Sequence, residues 1–352
     1  MRPRKAPFAI KRYLLEDTHS LAAATEQART QDLIEIRPPG HISVEPRDRG
    51  GSYAVWVRFV NGKPVREYIG PAQSEAHRVA EARLEDLKLF QARAKKLRKL
   101  GFASLEHDAA LVVAQLHNHG VFAGGGVLIG TRAFGIVLNQ LGWHATPYLS
   151  TADVDLARPR TLALATPLKS NGFIELLKET GLPFAPVIGL DRPPGPSTSF
   201  KAIGKDLKVD LLVPSRLNSK PYSTIPVPEL GAHATTLPFL DYLTVEPEFG
   251  LGIGRDHLVP VLVPSAGRYA LHKLLVADLR SGADNPKIEK DLAQAGILIA
   301  ILSQEDPDLL EQAAQALSQP MLPHVRKSLP GLAAMLEGEF PEALARVLDL
   351  VG

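Results

Sequence analysis

The sequence predicts an α/β protein with a helical C-terminal part, and three observations support this. Short apolar, strand-like segments alternate with helical patterns across residues 120–265. Apolar residues then recur at helical spacing from residue 266 onwards. Upstream, Asn61-Gly62 separates two alternating runs, which is typical of a β-hairpin. We therefore expect three regions, namely an N-terminal region over 1–103, an α/β core over 104–265 and a helical domain over 266–352.

The composition is that of a soluble globular protein. The chain has 352 residues, of which 45% are hydrophobic and 22% are charged. A net charge of +2 argues neither for nor against nucleic-acid binding. The absence of cysteine excludes disulfides, a thiol nucleophile and thiolate zinc sites.

The sequence gives no sign of membrane insertion or secretion. No apolar run reaches the roughly 18 to 20 residues that a spanning helix needs. The first residues are basic but lack a long apolar segment, so we do not predict a secretory signal. We expect a cytoplasmic protein without a membrane partner.

The N-terminal region should contain a helix, a hairpin and a second, long helix. The first helix is predicted around Phe8–Glu26, and the hairpin over 53–69. The long helix should follow from Ser74, which can cap it, to Leu100. That helix ends in a basic cluster, Arg93, Lys95, Lys96, Arg98 and Lys99. Cations suit a helix C-terminus, so this cluster is either a solvated helix end or a contact for a phosphate backbone.

The core and the C-terminal domain give further elements. A helix is predicted over Ser104–His119, and a proline-rich loop or flap over Asp191–Thr198. The Gly-Leu-Gly-Ile-Gly run at 250–254 is interpreted as a loop, because it lacks the setting of a dinucleotide fingerprint. The predicted core strands are Val121–Ile129, Ala152–Leu156, Val209–Val213, Tyr242–Val245 and Val259–Val263. The other predicted helices are Arg132–Leu141, Pro167–Glu179, Arg268–Arg280, Pro286–Ser303, Asp306–Leu317, Met321–Leu329 and Pro341–Leu350.

A glycine-rich segment leads into a helix and is a candidate phosphate site. Gly124–Gly126 is followed by Gly130 and Thr131 at a predicted helix start. Amide hydrogens and a hydroxyl at a helix N-terminus can bind phosphate, and Arg132 could add charge. Glycine clusters are also common where backbones pack tightly, so the order of elements carries this interpretation.

Three aspartates on predicted strands indicate a divalent metal site. Asp153 and Asp155 share one face of a strand, because strand side chains alternate. Asp210 lies on a second apolar strand. Aspartates also occur in turns and caps, but charges on buried-looking strands are costly without a counter-ion. We therefore favour metal binding.

Two cations on the first C-terminal helix are candidates for phosphate contacts. Lys273 and Arg280 are seven residues apart, so they share a helix face. The same positions would suit a solvated face, with His272 as a satisfied, partly buried histidine. A second polar group, Lys287, Lys290 and Asp291, is predicted to be solvated. His117 and His119 are too isolated to indicate zinc.

Together these motifs resemble the DNA polymerase β-type nucleotidyltransferase superfamily. Its pattern is Gly-Ser before a helix, then Asp-x-Asp, then a third aspartate on a nearby strand, with Thr131 in place of the serine here. More narrowly, the chain is similar to bacterial nucleotidyltransferase-domain proteins related to abortive-infection toxins. The resemblance covers about residues 50–300 and implies a mixed sheet flanked by helices. The long spacing from Gly130 to Asp153 leaves open whether Gly124–Gly126 or Gly130 faces the phosphates.

The resemblance also implies an activity, which is two-metal transfer of a nucleoside monophosphate from an NTP to an acceptor hydroxyl. Asp153, Asp155 and Asp210 would bind two Mg²⁺ or Mn²⁺ ions. The nucleotide would be held by Gly130, Thr131, Arg132, Lys273 and Arg280. The acceptor would be an RNA end such as tRNA, a protein side chain or a small molecule, and the resemblance to toxins leaves room for a cognate antitoxin as a partner. Two alternatives stay open: an inactive nucleotidyltransferase-fold module that binds RNA or protein, and an unrelated α/β protein.

Overall fold

The described part of the chain folds into four β-sheets with helices packed around them. The computed structural model describes residues 6–48, 50–60, 62–147, 153–159, 161–164, 172–188, 195–215, 220–280 and 285–352. Within these ranges, no helix combines the length and the apolar character needed to cross a membrane.

The N-terminal region contains a three-stranded antiparallel sheet and two helices. Its elements are β1 (Ala9–Arg12), α1 (Leu15–Ala28), β2 (His41–Pro46), β3 (Ser52–Val60), β4 (Lys63–Pro71) and α2 (Glu75–Lys99). Strands β3 and β4 pair antiparallel, so the predicted hairpin is confirmed, although Asn61 in its turn lies outside the described residues. The Ser74 hydroxyl accepts a hydrogen bond from the His77 amide, as predicted for a helix cap.

The first predicted helix is only partly right. Its beginning, residues 9–12, forms a strand that pairs antiparallel with residues 143–146. The helix starts at Leu15 and continues to Ala28. The pairing gives the backbone groups of residues 9–12 partners that helical periodicity alone does not reveal.

The core holds the largest sheet. Its elements are α3 (His107–Asn118), β5 (Val127–Ile129), α4 (Gly130–Leu141), β6 (Trp143–Thr146), β7 (Asp153–Ala157), α5 (Gly172–Lys178), β8 (Phe184–Pro186), β9 (Ser199–Ala202), β10 (Lys208–Pro214), β11 (Thr224–Val227), β12 (Ala232–Leu237), α6 (Leu240–Thr244), β13 (Glu248–Ile253) and β14 (Leu258–Val263). Seven strands form one sheet in the order β11–β12–β10–β7–β5, with β9 beside β10 and β8 beside β9. Strand β10 runs parallel to β7 and β12, whereas β5 and β11 are antiparallel to their neighbours. The sheet is therefore mixed, as predicted.

Two predictions in the core are wrong. The predicted strand Tyr242–Val245 belongs to a helix, α6, in which Tyr242 and Leu243 are both buried. Periodicity cannot assign so short an apolar run, and alternation would have buried only one of these neighbours. The predicted loop at 250–254 is mostly strand β13, paired with β14. A side chain at Gly250 would meet Ile136, so this glycine permits close packing within a strand.

Other core predictions hold over shorter ranges. Of the predicted strand Val121–Ile129, only Val127–Ile129 is extended, because turns occupy residues 119–125. The helix predicted over Pro167–Glu179 is present as α5, and residues 165–171 lie outside the described residues. The same applies to 191–194 in the predicted proline-rich loop.

The C-terminal helices match the prediction closely. They are α7 (Ala266–Leu279), α8 (Pro286–Glu305), α9 (Pro307–Gln315), α10 (Leu322–Leu336) and α11 (Pro341–Val351). Helix α10 continues through Pro330 and beyond its predicted end at Leu329, since the burial of Leu332 and Leu336 favours helix there. One apolar core includes Leu128 of the sheet and Leu298 of α8. The division into three domains stays a prediction.

Candidate active site

Strands β7 and β10 bring four charged side chains to one face of the central sheet. They are parallel neighbours in which Asp210 lies opposite Asp155, and Lys208 opposite Asp153. Because side chains two residues apart share a face, all four point to the same side. The alternate residues Val154 and Val209 are fully buried on the other face. We call Asp153, Asp155 and Asp210 the aspartate cluster.

Gly130 places the start of helix α4 directly against this cluster. It follows β5, whose last residue, Ile129, lies opposite Asp155. Its φ of +69° is in the left-handed region, and a Cβ there would clash with the Asp155 carboxylate. The Tyr269 hydroxyl donates to the Gly130 carbonyl at 2.7 Å. Only glycine fits at this position, where the helix N-terminus approaches a carboxylate.

A cleft of about 290 Å³ opens above the aspartate cluster. One wall comes from the sheet and the start of α4, and the opposite wall comes from α7 and α8. Besides the cluster, its lining residues are Ile129, Gly130, Thr131, Lys208, Leu212, Leu237, Leu243, Tyr269, His272, Lys273, Val276, Arg280, Lys287, Lys290 and Asp291. The cleft thus combines three carboxylates with several cations and an apolar side, a composition suited to a small anionic ligand with an apolar part.

Asp291 holds both predicted phosphate-binding cations. The Lys273 Nζ lies 2.7 Å from its Oδ1, and the Arg280 Nε lies 2.6 Å from its Oδ2. Asp291 is only 2% exposed, so the prediction that it is solvated is wrong. Burial acts to raise its pKa, but Lys273 and Arg280 outweigh burial and hold the pKa below its usual range. The three side chains form a buried ion cluster at the cleft wall.

The aspartate cluster concentrates negative charge in a buried place. Burial raises the pKa of Asp155 to about 6, and the charges of Asp210 and Asp153 add to the effect. The two oxygens of Asp210 are engaged: Ser199 donates to Oδ1, and the Lys208 Nζ lies 2.7 Å from Oδ2. A divalent cation would stabilise the charged form of Asp155, which burial and the repulsion from Asp210 and Asp153 disfavour.

The donor set suits a hard cation, although the side chains are not arranged as a finished metal site. Carboxylate oxygens are the ligands that Mg²⁺ and Mn²⁺ prefer. Among the described residues, no three Asp, Glu or His side chains converge closely enough to hold an ion as they stand. The two oxygens of Asp210 instead contact Ser199 and Lys208. The residues fit such an ion in kind, and Asp210 must exchange a partner to bind it.

A family model described as nucleotidyltransferase matches residues 107–319, more than half of the chain. The chain belongs to this nucleotidyltransferase family. The match includes Gly130, the aspartate cluster and the Lys273–Asp291 pair, so the resemblance predicted from the sequence is confirmed at the level of the family. No curated protein and no solved structure matches the chain.

The two glycine groups of this nucleotidyltransferase have different positions. Gly130 lines the cleft, whereas Gly124–Gly126 do not. A side chain at Gly126 would meet Val121, and one at Gly124 would meet the Gly120 carbonyl. Of the two alternatives that the sequence leaves open, only Gly130 lies beside the aspartate cluster. Thr131 also lines the cleft, and its hydroxyl accepts a hydrogen bond from Gln294 at 3.5 Å.

Arg132 is directed away from the cleft. Its Nε donates to the Asp153 carbonyl at 2.9 Å, and its Nη1 forms an ion pair with Glu106. The side chain is buried and is absent from the cleft lining. The structure therefore brings together seven of the eight predicted site residues in the cleft lining, and Arg132 lies outside it.

His272 is a cleft residue whose environment the sequence did not reveal. It is 7% exposed, and within the described part of the chain its Nε2 has no hydrogen-bond partner. Burial lowers its pKa to about 3, and the neighbouring Lys273 contributes. The imidazole is thus neutral at physiological pH. The sequence-based expectation of a satisfied histidine is wrong for Nε2.

Proposed function

We propose that this protein transfers a nucleoside monophosphate from an NTP to an acceptor hydroxyl, with two divalent cations, Mg²⁺ or Mn²⁺. The observation that carries the proposal is the position of the aspartate cluster beside the N-terminus of helix α4. Carboxylates for cations and helix amides for phosphates therefore lie within one cleft.

The aspartate cluster would hold the ions. Asp153 and Asp155 face the cleft from β7, and Asp210 completes the set from β10. In this position the ions would lower the pKa of the acceptor hydroxyl and neutralise charge on the phosphates. The raised pKa of Asp155 supports the proposal, because burial and the neighbouring Asp210 and Asp153 together disfavour its charged form, which a bound cation would stabilise.

The phosphates would lie between the start of α4 and the cations of α7. The amides at Gly130 and Thr131 point along the helix axis towards the cleft, where a partial positive charge favours anions. Lys273 and Arg280 face them from the opposite wall, fixed in place by Asp291. Arg132 would act as a positioning residue, because it holds the backbone of β7 at Asp153.

An RNA end, such as that of tRNA, is the acceptor that we favour. The end of α2 carries exposed cations, Lys95, Lys96, Arg98 and Lys99. Such a cluster suits a phosphate backbone, which dominates the affinity of most nucleic-acid interfaces. A protein acceptor, a toxin role and a cognate antitoxin follow from the resemblance to toxin-type relatives alone.

Labelling with nucleotide tests this proposal directly. Purified protein would be incubated with each α-³²P NTP, Mg²⁺ and total cell RNA plus lysate. Wild type should label RNA, whereas Asp153→Ala/Asp155→Ala should not. Asp206→Asn is a matched control, because this exposed carboxylate lies outside the cleft and should leave labelling unchanged.

The other outcomes are also informative. A labelled protein band would replace RNA as the acceptor and keep the transfer reaction. No label with any NTP from a folded protein, together with no NTP binding in calorimetry with Mg²⁺, would favour a module that binds RNA or protein over an enzyme.

A further inference from the structure

Lys208 introduces a positive charge into the aspartate cluster. It lies two residues before Asp210 on β10 and opposite Asp153 on β7. Its Nζ is 2.7 Å from Asp210 Oδ2. The ammonium thus occupies the carboxylate-lined face where the proposed function requires a divalent cation.

The contact is more than a surface ion pair. The Asp210 side chain is only 16% exposed, and Ser199 already donates to its other oxygen. With both oxygens engaged, Asp210 cannot turn towards Asp155 without losing one of these contacts. Among the described residues, no three acidic or histidine side chains converge closely enough to hold an ion, and these contacts hold Asp210 in that arrangement.

We propose that Lys208 is a built-in counter-ion that competes with a divalent cation for Asp210 and leaves Asp210 when that cation binds. The proposal rests on the proposed function, because it concerns the ion that Asp210 would bind. Three carboxylates on one face repel one another, and a cation near them stabilises the empty fold. A lysine suits this task, since its flexible stem lets the compact ammonium move away. Its side chain is 37% exposed, so it has room to move.

Competition makes a specific prediction about metal affinity. Removing the ammonium should tighten the weaker Mn²⁺ site by about fivefold to tenfold, the effect of one partly screened charge a few ångströms away. Arginine in its place would keep the charge and should leave the affinity at or below that of wild type. Lys287 also lines the cleft, but the described part of the chain shows no contact between it and the aspartate cluster, so its loss should change the affinity less than twofold.

The experiment measures Mn²⁺ binding to the full-length protein by titration calorimetry, with free Mn²⁺ followed by electron paramagnetic resonance. The variants are K208M, K208R, K287M and D155N, each checked for folding by circular dichroism. Tighter binding by K208M alone would support the proposal. Equal or weaker binding by K208M, with loss of binding in D155N, would overturn it and leave the metal site standing. An absence of Mn²⁺ binding in both wild type and K208M, with or without NTP, would overturn both the counter-ion and the metal-dependent mechanism.

Discussion

The Tyr269 hydroxyl donates a hydrogen bond to the carbonyl oxygen of Gly130 across 2.7 Å. This bond joins the helix that carries Lys273 to the start of the helix that faces Asp155. Lys273 also lies over the Tyr269 ring, with its Nζ 5.4 Å from the ring centroid. Tyr269, which is 1% exposed, therefore contacts both walls of the cleft.

Tyr269→Phe should destabilise the protein and weaken its binding of nucleotide. Loss of the donor leaves the Gly130 carbonyl without this partner, which should cost about 1 to 3 kcal/mol of unfolding free energy. The KM for NTP should rise severalfold, because the hydrogen bond that connects the two walls of the cleft is lost. Urea unfolding and steady-state kinetics would measure these effects. Tyr222→Phe, at an exposed hydroxyl, should change neither.

Gly130→Ala should abolish transfer. The new Cβ would clash with the Asp155 carboxylate, and the left-handed φ of +69° adds strain of about 1 kcal/mol. Gly204→Ala is the matched control: its φ is +75°, but nothing lies near its Cβ position. Both variants should be destabilised by a similar backbone term, while only Gly130→Ala should lose at least about a hundredfold in kcat/KM. Equal activity losses would show that backbone strain alone matters.

Asp291→Asn should destabilise the protein at neutral pH by about 2 to 4 kcal/mol, because Lys273 and Arg280 would lose their shared buried carboxylate. The pKa of Asp291 is held below its usual range, so its contribution is present above the unfolded-state pKa and is lost as pH falls through the folded-state pKa. The stability gap between wild type and variant should therefore be constant from pH 7 to about 5 and should narrow below pH 4. Guanidinium titrations at several pH values would measure it. A gap that widens in acid would contradict this account.

In the absence of metal, Asp155→Asn should stabilise the protein, whereas Asp291→Asn should destabilise it. Because the pKa of Asp155 is raised to about 6, the folded protein binds the proton more tightly than the unfolded chain does. Wild type in EDTA should consequently lose stability as pH rises from about 4 to 6, and the asparagine variant should not. At pH 8 the variant should be more stable by about 2 to 3 kcal/mol. Added Mn²⁺ should stabilise wild type and leave the variant unchanged.

Local pattern was enough to predict the elements that carry the aspartate cluster. Asp153 and Asp155 alternate with apolar residues, and Asp210 lies in a similarly apolar strand. Side-chain alternation therefore predicted correctly that Asp153 and Asp155 share one face of a strand. The register in which β7 and β10 pair depends on the topology of the sheet, which a local sequence pattern does not contain. The same limit explains Lys208, which looks like an ordinary strand start until Asp210 is seen beside its Nζ.

Burial was the property that the sequence predicted least well. Asp291 follows Lys287 and Lys290 on one helix and shares their polar pattern, yet it is buried against α7. Arg132 follows a candidate phosphate-binding motif, yet its guanidinium forms an ion pair with Glu106 at the start of α3. In both cases the partner lies outside the residue's own helix, so tertiary packing decides the direction of the side chain.

Leu128 of the sheet and Leu298 of α8 belong to one apolar core, which has a consequence for how substrate enters the cleft. The sheet and the helices that form opposite walls cannot separate as rigid bodies without exposing that core, which would be costly. We therefore expect that long side chains at the rim of the cleft move when the nucleotide enters, and that the backbone stays in place. A ligand would then have to displace lysine ammonium groups from their aspartate partners, as in Lys208–Asp210 and Lys273–Asp291. A polyphosphate that carries its own cation meets this requirement, because the phosphate replaces the carboxylate and the cation replaces the ammonium.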